Sequence, residues 1–506
     1  MSRRQNDKKK VPPTAEKIKE DIFQKVSGII DWITSSQSLN FLEFEQKLVI
    51  KVFVLGQLFI SLFLSTREEG IRERHQKPGG YKWQKPQGRL LGTFFGKVRY
   101  WRSYVYQTKG GGGYYPLDVE LGLTGDGFSM LVQSYAALIA TKMSYAQASI
   151  VLSLFLHWSP AQKSIEEMVL GLGRHTSEWF ENAPAPEDEG EVLVIQFDSK
   201  GNPMATEEEL EKRRGKRQPN PHPGSQRHRG KTARERRGSK KRRKKGDKSK
   251  NAKMATIMVM YTLKKSVDGK LEGPRNKKVY ASHAPKRHVV AIARREADKR
   301  GFGRDSSKLV QIVTDGDTDL ERYIEEFFPE AIHTIDVYHA TEYLWEAGHA
   351  LYKEGSDELE EWVNTQKEAL YEGRVADIIK ELDERLDLLP KGTQQECLKK
   401  VRGYLDKRQA KMDYKSLREQ DLEISSGAVE GAVNYVIAKR FDSGGMRWIK
   451  ERAETLLQLR CIEVNGDWDA FISFVHDKTK KQAQQTHKII SLKRQKPAPL
   501  PTYGLA

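Results

Sequence analysis

The chain has 506 residues, with 87 lysines and arginines against 69 acids, and its formal net charge is +18. This length suffices for two to four domains with a substantial core. Two cysteines exclude a disulfide framework and are typical of a protein in a reducing compartment. No apolar signal sequence follows the basic N-terminus, so the sequence predicts a cytoplasmic protein.

The N-terminal region, residues 1–82, is predicted to be helical. Apolar residues recur at helical spacing from Ile18 to Phe63. The most apolar run, residues 52–64, is too short to span a bilayer. We therefore expect a buried helix there and no association with a membrane.

The next region, residues 83–182, begins with a strand pattern and continues with helices. Residues 90–107 alternate and are rich in β-branched and aromatic side chains, as in a β-hairpin. Helical patterns at 143–156 and 163–175 are separated by a short break. Such a pair is compatible with a helix-turn-helix DNA reader, and equally with any small helical domain.

A linker at residues 183–191 precedes strands that alternate with helices. Strands are predicted at 192–197, 252–263, 277–284, 308–315 and 331–339, with helices at 286–300 and 318–328. Residues 340–423 have a purely helical pattern, and another helix starts soon afterwards. This order predicts an α/β, ribonuclease H-like mixed-sheet core with an all-helical insertion. In that fold the first and fourth strands are neighbours at the centre of the sheet.

A basic segment interrupts this core between its first two strands. From Lys212 to Lys250 there are 19 lysines and arginines and two acids, which together contribute +17. Such a run is usually a nucleic-acid-binding arm, whereas solubilising tails and localisation signals are usually terminal. We therefore predict DNA binding and an association with the nucleoid. The cations expected to contact DNA include Arg213, Arg214, Lys216, Arg217, Arg227, Arg229, Arg242 and Arg243.

Three carboxylates occupy positions where this fold would bring them together. Asp198 follows the first strand, Asp315 ends the fourth, and Glu430 lies in the first turn of the helix after the insertion. Carboxylates that share a site repel one another unless a divalent cation neutralises them, and oxygen ligands favour Mg²⁺ or Mn²⁺. The alternatives are turn aspartates and an exposed helix-terminal glutamate. Asp317 and Asp319 compete with Asp315 for this role.

Further candidate DNA contacts flank these acids. His339 is predicted to contact a phosphate while Asp336 fixes its tautomer, the alternative being a helix cap and a surface histidine. Arg440, Arg447 and Trp448 are predicted to clamp a phosphate and stack on an unpaired base. For that cluster the alternative is a core tryptophan beside a surface arginine.

Several of these stretches resemble the ISKra-type bacterial insertion-sequence transposases, which belong to the Asp-Asp-Glu superfamily and have a ribonuclease H-like core. The likeness extends from about Leu91 to Val475. The matching stretches are 95–104 (FGKVRYWRSY), 116–123 (PLDVELGL), 194–201 (VIQFDSKG), 334–352 (TIDVYHATEYLWEAGHALY), 424–448 (ISSGAVEGAVNYVIAKRFDSGGMRW) and 465–474 (NGDWDAFISF).

The resemblance implies that Asp198, Asp315 and Glu430 form a catalytic triad that binds Mg²⁺. It also implies that Asp336 and His339 match the family's aspartate-x-x-histidine signature. The implied activity is cleavage and strand transfer of DNA at terminal inverted repeats, by a homodimer or larger assembly on DNA. The alternatives are a metal-dependent nuclease of the same fold and a domesticated DNA-binding protein without chemistry.

The sequence pattern predicts a domain organisation, in which the resemblance implies that the helical block is an insertion domain. A DNA-binding half would precede the core, the helical block would be an insertion domain, and a basic tail would end the chain. The expected bounds are 1–82 and 83–182 for the DNA-binding half, 190–339 and 424–478 for the core, 340–423 for the insertion and 479–506 for the tail.

Overall fold

The computed structural model describes residues 12–36, 38–74, 80–108, 112–123, 125, 127–206, 208, 252–442 and 446–485. The cations predicted to bind DNA between Arg213 and Arg243, and most of the expected basic tail, lie outside these residues. The chain forms two compact units, one with the described residues up to 182 and from 466 onward, the other with residues 183–465. The division at residue 182 matches the predicted linker. Residues from 466 onward group with the first unit, whereas the sequence assigned them to the core.

The first unit begins with two helices and a three-stranded antiparallel sheet. The hairpin predicted at residues 90–107 is confirmed, although its first strand begins earlier. Leu64 and Ile71 of the second helix pack against Leu91 and Tyr100 of the sheet. The bounds are α1 (Ala15–Ser35), α2 (Phe41–Arg74), β1 (Tyr81–Thr93), β2 (Gly96–Gln107) and β3 (Gly113–Tyr114).

Five shorter helices complete the described part of this unit before the linker. Two of them confirm the predicted helix pair, and a serine N-cap starts the first of the pair, where Ser144 accepts a hydrogen bond from Gln147 N. The bounds are α3 (Pro116–Leu121), α4 (Met130–Lys142), α5 (Tyr145–Leu156), α6 (Gln162–Gly173) and α7 (Thr176–Asn182).

Helix α2 is less buried than the sequence predicts. Of residues 52–64, Gly56 and Leu64 are buried, whereas Phe59 and Phe63 are about half exposed. Among the described residues, α2 is the helix long and apolar enough to cross a membrane by length and composition, and 11% of its most apolar window is buried. The expectation of a buried helix is therefore wrong for this stretch.

The second unit is a mixed α/β structure with a five-stranded sheet in the order β6-β5-β4-β7-β8. β4 pairs with β5 in antiparallel and with β7 in parallel orientation, so the predicted first and fourth strands are neighbours at its centre. The bounds are β4 (Val192–Pro203), β5 (Ala252–Lys265), β6 (Leu271–Ser282), β7 (Leu309–Thr314) and β8 (Ile332–Ile335).

Two strand ends differ from the prediction. β4 continues to Pro203, so Asp198 lies within the strand, where it pairs with Ile257 of β5. β8 ends at Ile335, so His339 belongs to the following helix and not to a strand. The cause is Asp336, whose side chain accepts a hydrogen bond from Tyr338 N and starts that helix.

The helices of the second unit confirm the all-helical block predicted for residues 340–423. A 3₁₀ turn (Gln409–Lys411) lies inside this block, and a π-helical turn (Val433–Ala438) follows the helix that carries Glu430. The bounds are α8 (Lys286–Lys299), α9 (Thr318–Phe327), α10 (Val337–Leu351), α11 (Asp357–Tyr371), α12 (Val375–Leu388), α13 (Thr393–Arg408), α14 (Tyr414–Glu419), α15 (Gly427–Ala432), α16 (Lys439–Phe441) and α17 (Lys450–Val464).

The last described helix, α18 (Trp468–Gln485), returns to the first unit. Trp468 Nε1 donates to Ser134 Oγ at 3.0 Å, and the Phe471 ring packs edge-on against Trp179 with 5.9 Å between ring centroids. These buried contacts explain why the segment groups with the first unit.

Candidate carboxylate site at the centre of the mixed sheet

The parallel register of β4 and β7 brings Asp198 and Asp315 side by side. Gln196 pairs with Val313, and the two aspartates follow two residues later along each chain. Paired residues of neighbouring strands point to the same face of a sheet, as do residues two apart in one strand. Both carboxylates therefore start from one face of the sheet at the same level.

Gln196 joins this face of the sheet to the segment that leads to Glu430. Its side chain is 1% exposed. Oε1 accepts a hydrogen bond from Val429 N at 2.9 Å, and Nε2 donates to Ser425 O at 3.1 Å. Val429 immediately precedes Glu430, so the start of α15 is fixed to the central strand.

Gln311 of β7 holds the same segment a few residues earlier. The side chain is fully buried. Nε2 donates to Glu423 O at 2.7 Å, and Oε1 accepts from Glu423 N at 3.0 Å. Together, the two glutamines attach residues 423–429 to the strands that carry the aspartates.

These glutamines were not singled out from the sequence, although a signal was present. Each is an amide within an otherwise apolar strand, in VLVIQF and in LVQIV. A buried amide needs hydrogen-bond partners, and an amide can both donate to and accept from the backbone of another segment. A single glutamine in a buried strand pattern therefore indicates a backbone attachment point.

A hydrogen-bonded chain links Glu430 with His339. Ser426 Oγ lies 3.2 Å from Glu430 Oε1 and 2.6 Å from Asp336 Oδ2. His339 Nδ1 lies 2.9 Å from the same Asp336 oxygen, and Tyr338 N donates to the other oxygen at 3.0 Å. The predicted contact of Asp336 with His339 is confirmed, and both oxygens of the buried Asp336 are engaged.

His339 carries a positive charge in this arrangement. The hydrogen bond to Asp336 raises the pKa of His339 to about 9; burial opposes this effect, while the charges of Asp336 and Asp315 add to it. The pKa of Asp336 is lowered, because burial is outweighed by hydrogen bonds from His339 and Ser426. At neutral pH the pair is an imidazolium and a carboxylate.

The pKa of Asp198 is raised by burial and by the acids near it. Burial raises this pKa, and the negative charges of Asp315 and Glu430 raise it further, whereas Ser199 N–H and His339 lower it. Electrostatic effects of this kind fall off with distance. The charge of Asp198 is therefore close enough to interact with those of Asp315, Glu430 and His339.

Among the described residues, one set of side chains has ligand atoms close enough together to hold a cation. Asp336, His339 and Glu430 have ligand atoms within 4.8 Å of one another. Both oxygens of Asp336 already take part in hydrogen bonds, with which a cation at this set would compete. Asp198, Asp315 and Glu430 offer carboxylate oxygens alone, the donors that Mg²⁺ prefers, but among the described residues their ligand atoms do not all come within 4.8 Å of one another.

Each of these three carboxylates has a hydrogen-bond contact at one oxygen. Asp198 Oδ1 accepts from Ser199 N at 2.5 Å, and Asp315 Oδ1 accepts from Asp317 N at 2.9 Å. Glu430 has its contact with Ser426. Within the described residues, a backbone N–H thus fixes one oxygen of each aspartate, whereas Glu430 competes with Asp336 for the single proton of the Ser426 hydroxyl.

The competing aspartates have other partners. Asp317 caps α9 by accepting from Leu320 N at 3.0 Å and bonds Lys286 Nζ at 2.5 Å. Asp319 is exposed and pairs with Arg322 at 3.1 Å. Asp315 is therefore the member of this group that lies beside Asp198.

The helical block holds the loop that carries Asp315. Tyr404 OH donates to Asp315 O at 3.2 Å, and Arg408 donates to Gly316 O at 2.7 Å while forming a buried ion pair with Glu321. Gly316 has a φ of +82°, and a Cβ there would lie 2.8 Å from Arg408 Nε. The loop and helix α13 approach so closely that the position requires glycine.

The same block also holds the end of β8. Tyr414 is fully buried, and its hydroxyl donates to Ile335 O at 2.9 Å. Asp336 follows directly, and its backbone N–H donates to Thr314 O at 2.8 Å. The positions of Asp315 and Asp336 thus both depend on side chains from the helical block.

Two of the predicted DNA contacts are buried in the structure. Trp448 is 7% exposed, and Arg440, 2% exposed, lies 4.7 Å above its ring. The backbone explains this, because Trp448 N and O pair with Pro203 O and Ala205 N just beyond β4. The alternative of a core tryptophan beside a surface arginine therefore describes Trp448 and Arg447, whereas Arg440 is buried as well, and stacking of Trp448 on a base is not available here. Arg447 is exposed.

In comparisons with known proteins, no protein-family model and no curated protein matches this chain.

Proposed function

We propose that this chain is a DNA transposase that cleaves and joins DNA strands at the terminal inverted repeats of an insertion sequence. The observation that carries the proposal is the register of β4 and β7, which aligns Asp198 with Asp315 on the face that holds Glu430. A central pair of parallel strands with acids at one level supports a ribonuclease H-like interpretation of the core. The sequence resemblance points to the same class of enzyme.

The three carboxylates offer the type of donor atom that Mg²⁺ or Mn²⁺ prefers. Asp198, Asp315 and Glu430 would hold the ions, which when bound activate a water or a 3′-hydroxyl and stabilise the leaving oxygen of a phosphodiester. Burial is the main cause of the raised pKa of Asp198, and the negative charges of Asp315 and Glu430, which a cation would neutralise, add to it. Gln196 and Gln311 would keep Glu430 in position for the site.

His339 and the basic residues would bind the DNA backbone. The imidazolium of His339 is partly exposed, and its Nε2 is a donor suited to a phosphate oxygen. Arg447 is exposed and could bind a phosphate in the same way. The 19 cations from Lys212 to Lys250 would add sequence-independent affinity, which falls as the salt concentration rises.

Three conservative substitutions test the chemistry. We expect Asp198→Asn, Asp315→Asn and Glu430→Gln each to abolish Mg²⁺-dependent cleavage of DNA that carries the element's ends, since ligands of one site act as a unit. DNA binding should persist in all three. Asp319→Asn is the matched control, because Asp319 is an exposed acid four residues from Asp315.

The outcomes separate the candidate functions. Full cleavage by any triad variant would remove that residue from the site. Cleavage without strand joining by the unmodified chain would favour the metal-dependent nuclease. DNA binding with no cleavage in either Mg²⁺ or Mn²⁺ would favour the domesticated DNA-binding protein.

A further inference from the structure

Helix α1 has apolar side chains beyond those that its own unit buries. Ile18, Ile22 and Ile29 are buried. Four more apolar residues recur at intervals of three and four, the spacing of a coiled-coil seam, and are between 37% and 74% exposed. These residues are Phe23, Val26, Ile30 and Ile33.

Helix α2 repeats this pattern over three heptads. The seam runs through Phe41, Glu45, Leu48, Val52, Leu55, Phe59 and Leu62, again at alternating intervals of four and three. Phe41, Val52 and Phe59 are 75%, 47% and 53% exposed. Glu45 is the one polar residue in the seam.

The two seams lie on the same side of the α1–α2 hairpin. The helices are antiparallel, because Ala15 N donates to Glu69 Oε1 at one end and the Trp32 ring stacks on Phe44 at the other. Helical periodicity places each seam away from the residues that line a cavity of about 270 Å³ between the hairpin and the sheet. That cavity is lined by Ile18 and Asp21 of α1 and by Ser61 and Ser65 of α2. The opposite side of both helices is a single apolar face.

This face is large for a monomer. The fractional exposures of the seven exposed seam residues and Phe63 add up to the area of more than four fully exposed side chains. At roughly 150–200 Å² for each side chain, they present on the order of 600–800 Å² of apolar surface. Monomers rarely expose patches above about 600 Å², and a standard interface buries about 800 Å² on each partner.

We infer that the α1–α2 hairpin is a self-association surface through which two copies of the chain form a four-helix bundle. A two-helix face with heptad spacing on both helices is self-complementary, and a twofold axis would bury the same residues on each copy. The dimer would form without DNA. It does not depend on the proposed activity.

The hairpin is anchored in a way that disfavours insertion into a membrane. Glu68 of α2 accepts a hydrogen bond from Ser103 N of the sheet at 2.8 Å. Leu64 and Ile71 belong to the core of the unit. Insertion of α2 would have to break these contacts, whereas pairing with a second copy leaves them intact.

Sedimentation of the full chain without DNA, over a concentration series, tests the inference. We expect a dimer for the unmodified chain and monomers for two double variants. The first carries Phe23→Asp and Ile30→Asp, and the second carries Val52→Asp and Phe59→Asp. Loss of a single hot-spot side chain weakens an interface on the order of thirtyfold or more. Glu45→Leu should tighten the dimer, because it completes the apolar seam.

Matched controls separate association from unfolding. Leu388→Asp changes an 82% exposed leucine of the other unit and should leave the dimer intact. All variants should keep the far-ultraviolet dichroism of the unmodified chain, since the changed residues are exposed. A monomeric unmodified chain at tens of micromolar would overturn the inference. A dimer that survives either double variant, or flotation of the chain with lipid vesicles as a monomer, would also overturn it.

Discussion

The segments that carry Glu430 and Asp315 are held in different ways. The Glu430 segment is attached to the central strands by two buried amides, Gln196 and Gln311. The Asp315 loop is attached from outside the sheet, by the Tyr404 hydroxyl and the Arg408 guanidinium of α13. The position of the glutamate therefore depends on the sheet itself. The position of the aspartate depends on the helical block inserted between them in sequence.

This difference gives the helical block a local role at the site. Tyr404, Arg408 and Tyr414 donate hydrogen bonds to the carbonyls of Asp315, Gly316 and Ile335 respectively. Carbonyls that leave a sheet lack strand partners and need a donor from elsewhere. The block supplies these donors, so movement of α13 would displace the loop that carries Asp315.

The largest effect is expected where the sheet holds the glutamate. Gln196→Leu removes the amide donor of Ser425 O and one of the two acceptors of Val429 N–H, which keeps Ser426 O, at a cost of about 1–3 kcal/mol in the free energy of unfolding. Cleavage should fall by about two orders of magnitude, because a displacement of about 1 Å is enough for that. Urea unfolding and cleavage assays measure both effects.

A second buried glutamine serves as the control for Gln196. Gln366 is buried in the helical block and donates to Glu381 at 2.7 Å. Gln366→Leu should lower stability while the folded protein cleaves DNA normally. Normal cleavage by Gln196→Leu would show that the amide contributes to stability alone.

The next effect concerns the loop that carries Asp315. Gly316→Ala introduces strain at a φ of +82° and a clash with Arg408, whereas Gly355→Ala introduces strain at +77° in open space. Each should lose on the order of 1–3 kcal/mol of unfolding free energy from the strained backbone. Only Gly316→Ala should also impair cleavage. Equal cleavage by the two variants would contradict a close fit between the loop and α13.

A smaller effect is expected from one hydroxyl. Tyr404→Phe removes the bond to Asp315 O and should cost about 0.5–1.5 kcal/mol of unfolding free energy, with a severalfold loss of cleavage. Tyr343→Phe is the control, because the Tyr343 ring stacks on Tyr404 with 3.7 Å between centroids. If both variants behave alike, the hydrogen bond from the Tyr404 hydroxyl has no specific role in holding the loop.

The smallest effect is a pH dependence. Nuclear magnetic resonance titration of the metal-free protein should give His339 a pKa of about 9, and Asp336→Asn should bring it towards 6.5. Because the folded pKa is raised, the stabilisation is fully present below pH 6.5 and is lost as the pH rises through 9. A His339 pKa unaffected by Asp336→Asn would contradict the hydrogen bond.

The central strands were predictable because burial leaves a clear pattern. The apolar runs that lead to Asp198 and Asp315 identified β4 and β7. The order of helices and strands predicted that these two strands are neighbours in the sheet. The extension of β4 past Asp198 was not predictable, because it depends on pairing with a distant β5. The early end of β8 depends on Asp336 acting as a helix cap.

Exposure was harder to predict than secondary structure. The apolar composition of α2 suggested that this helix is buried. Hydropathy does not show, however, whether the residues that cover an apolar helix belong to the same chain. Trp448 looked like an exposed ring beside arginines, but backbone pairing with Pro203 and Ala205 draws it inward. The roles of Gln196 and Gln311 needed the positions of their backbone partners, which lie more than one hundred residues away.

The pairing of Pro203 with Ala252 has a consequence for the chain between them. The 19 cations lie in the sequence between these two paired strand ends, which are five residues beyond Asp198. At about 3.3 Å per residue, both strand ends are roughly 17 Å along the strand from that carboxylate. DNA that binds at the carboxylates, as proposed above, would therefore meet these charges on the same chain, whatever the amount of protein in the cell.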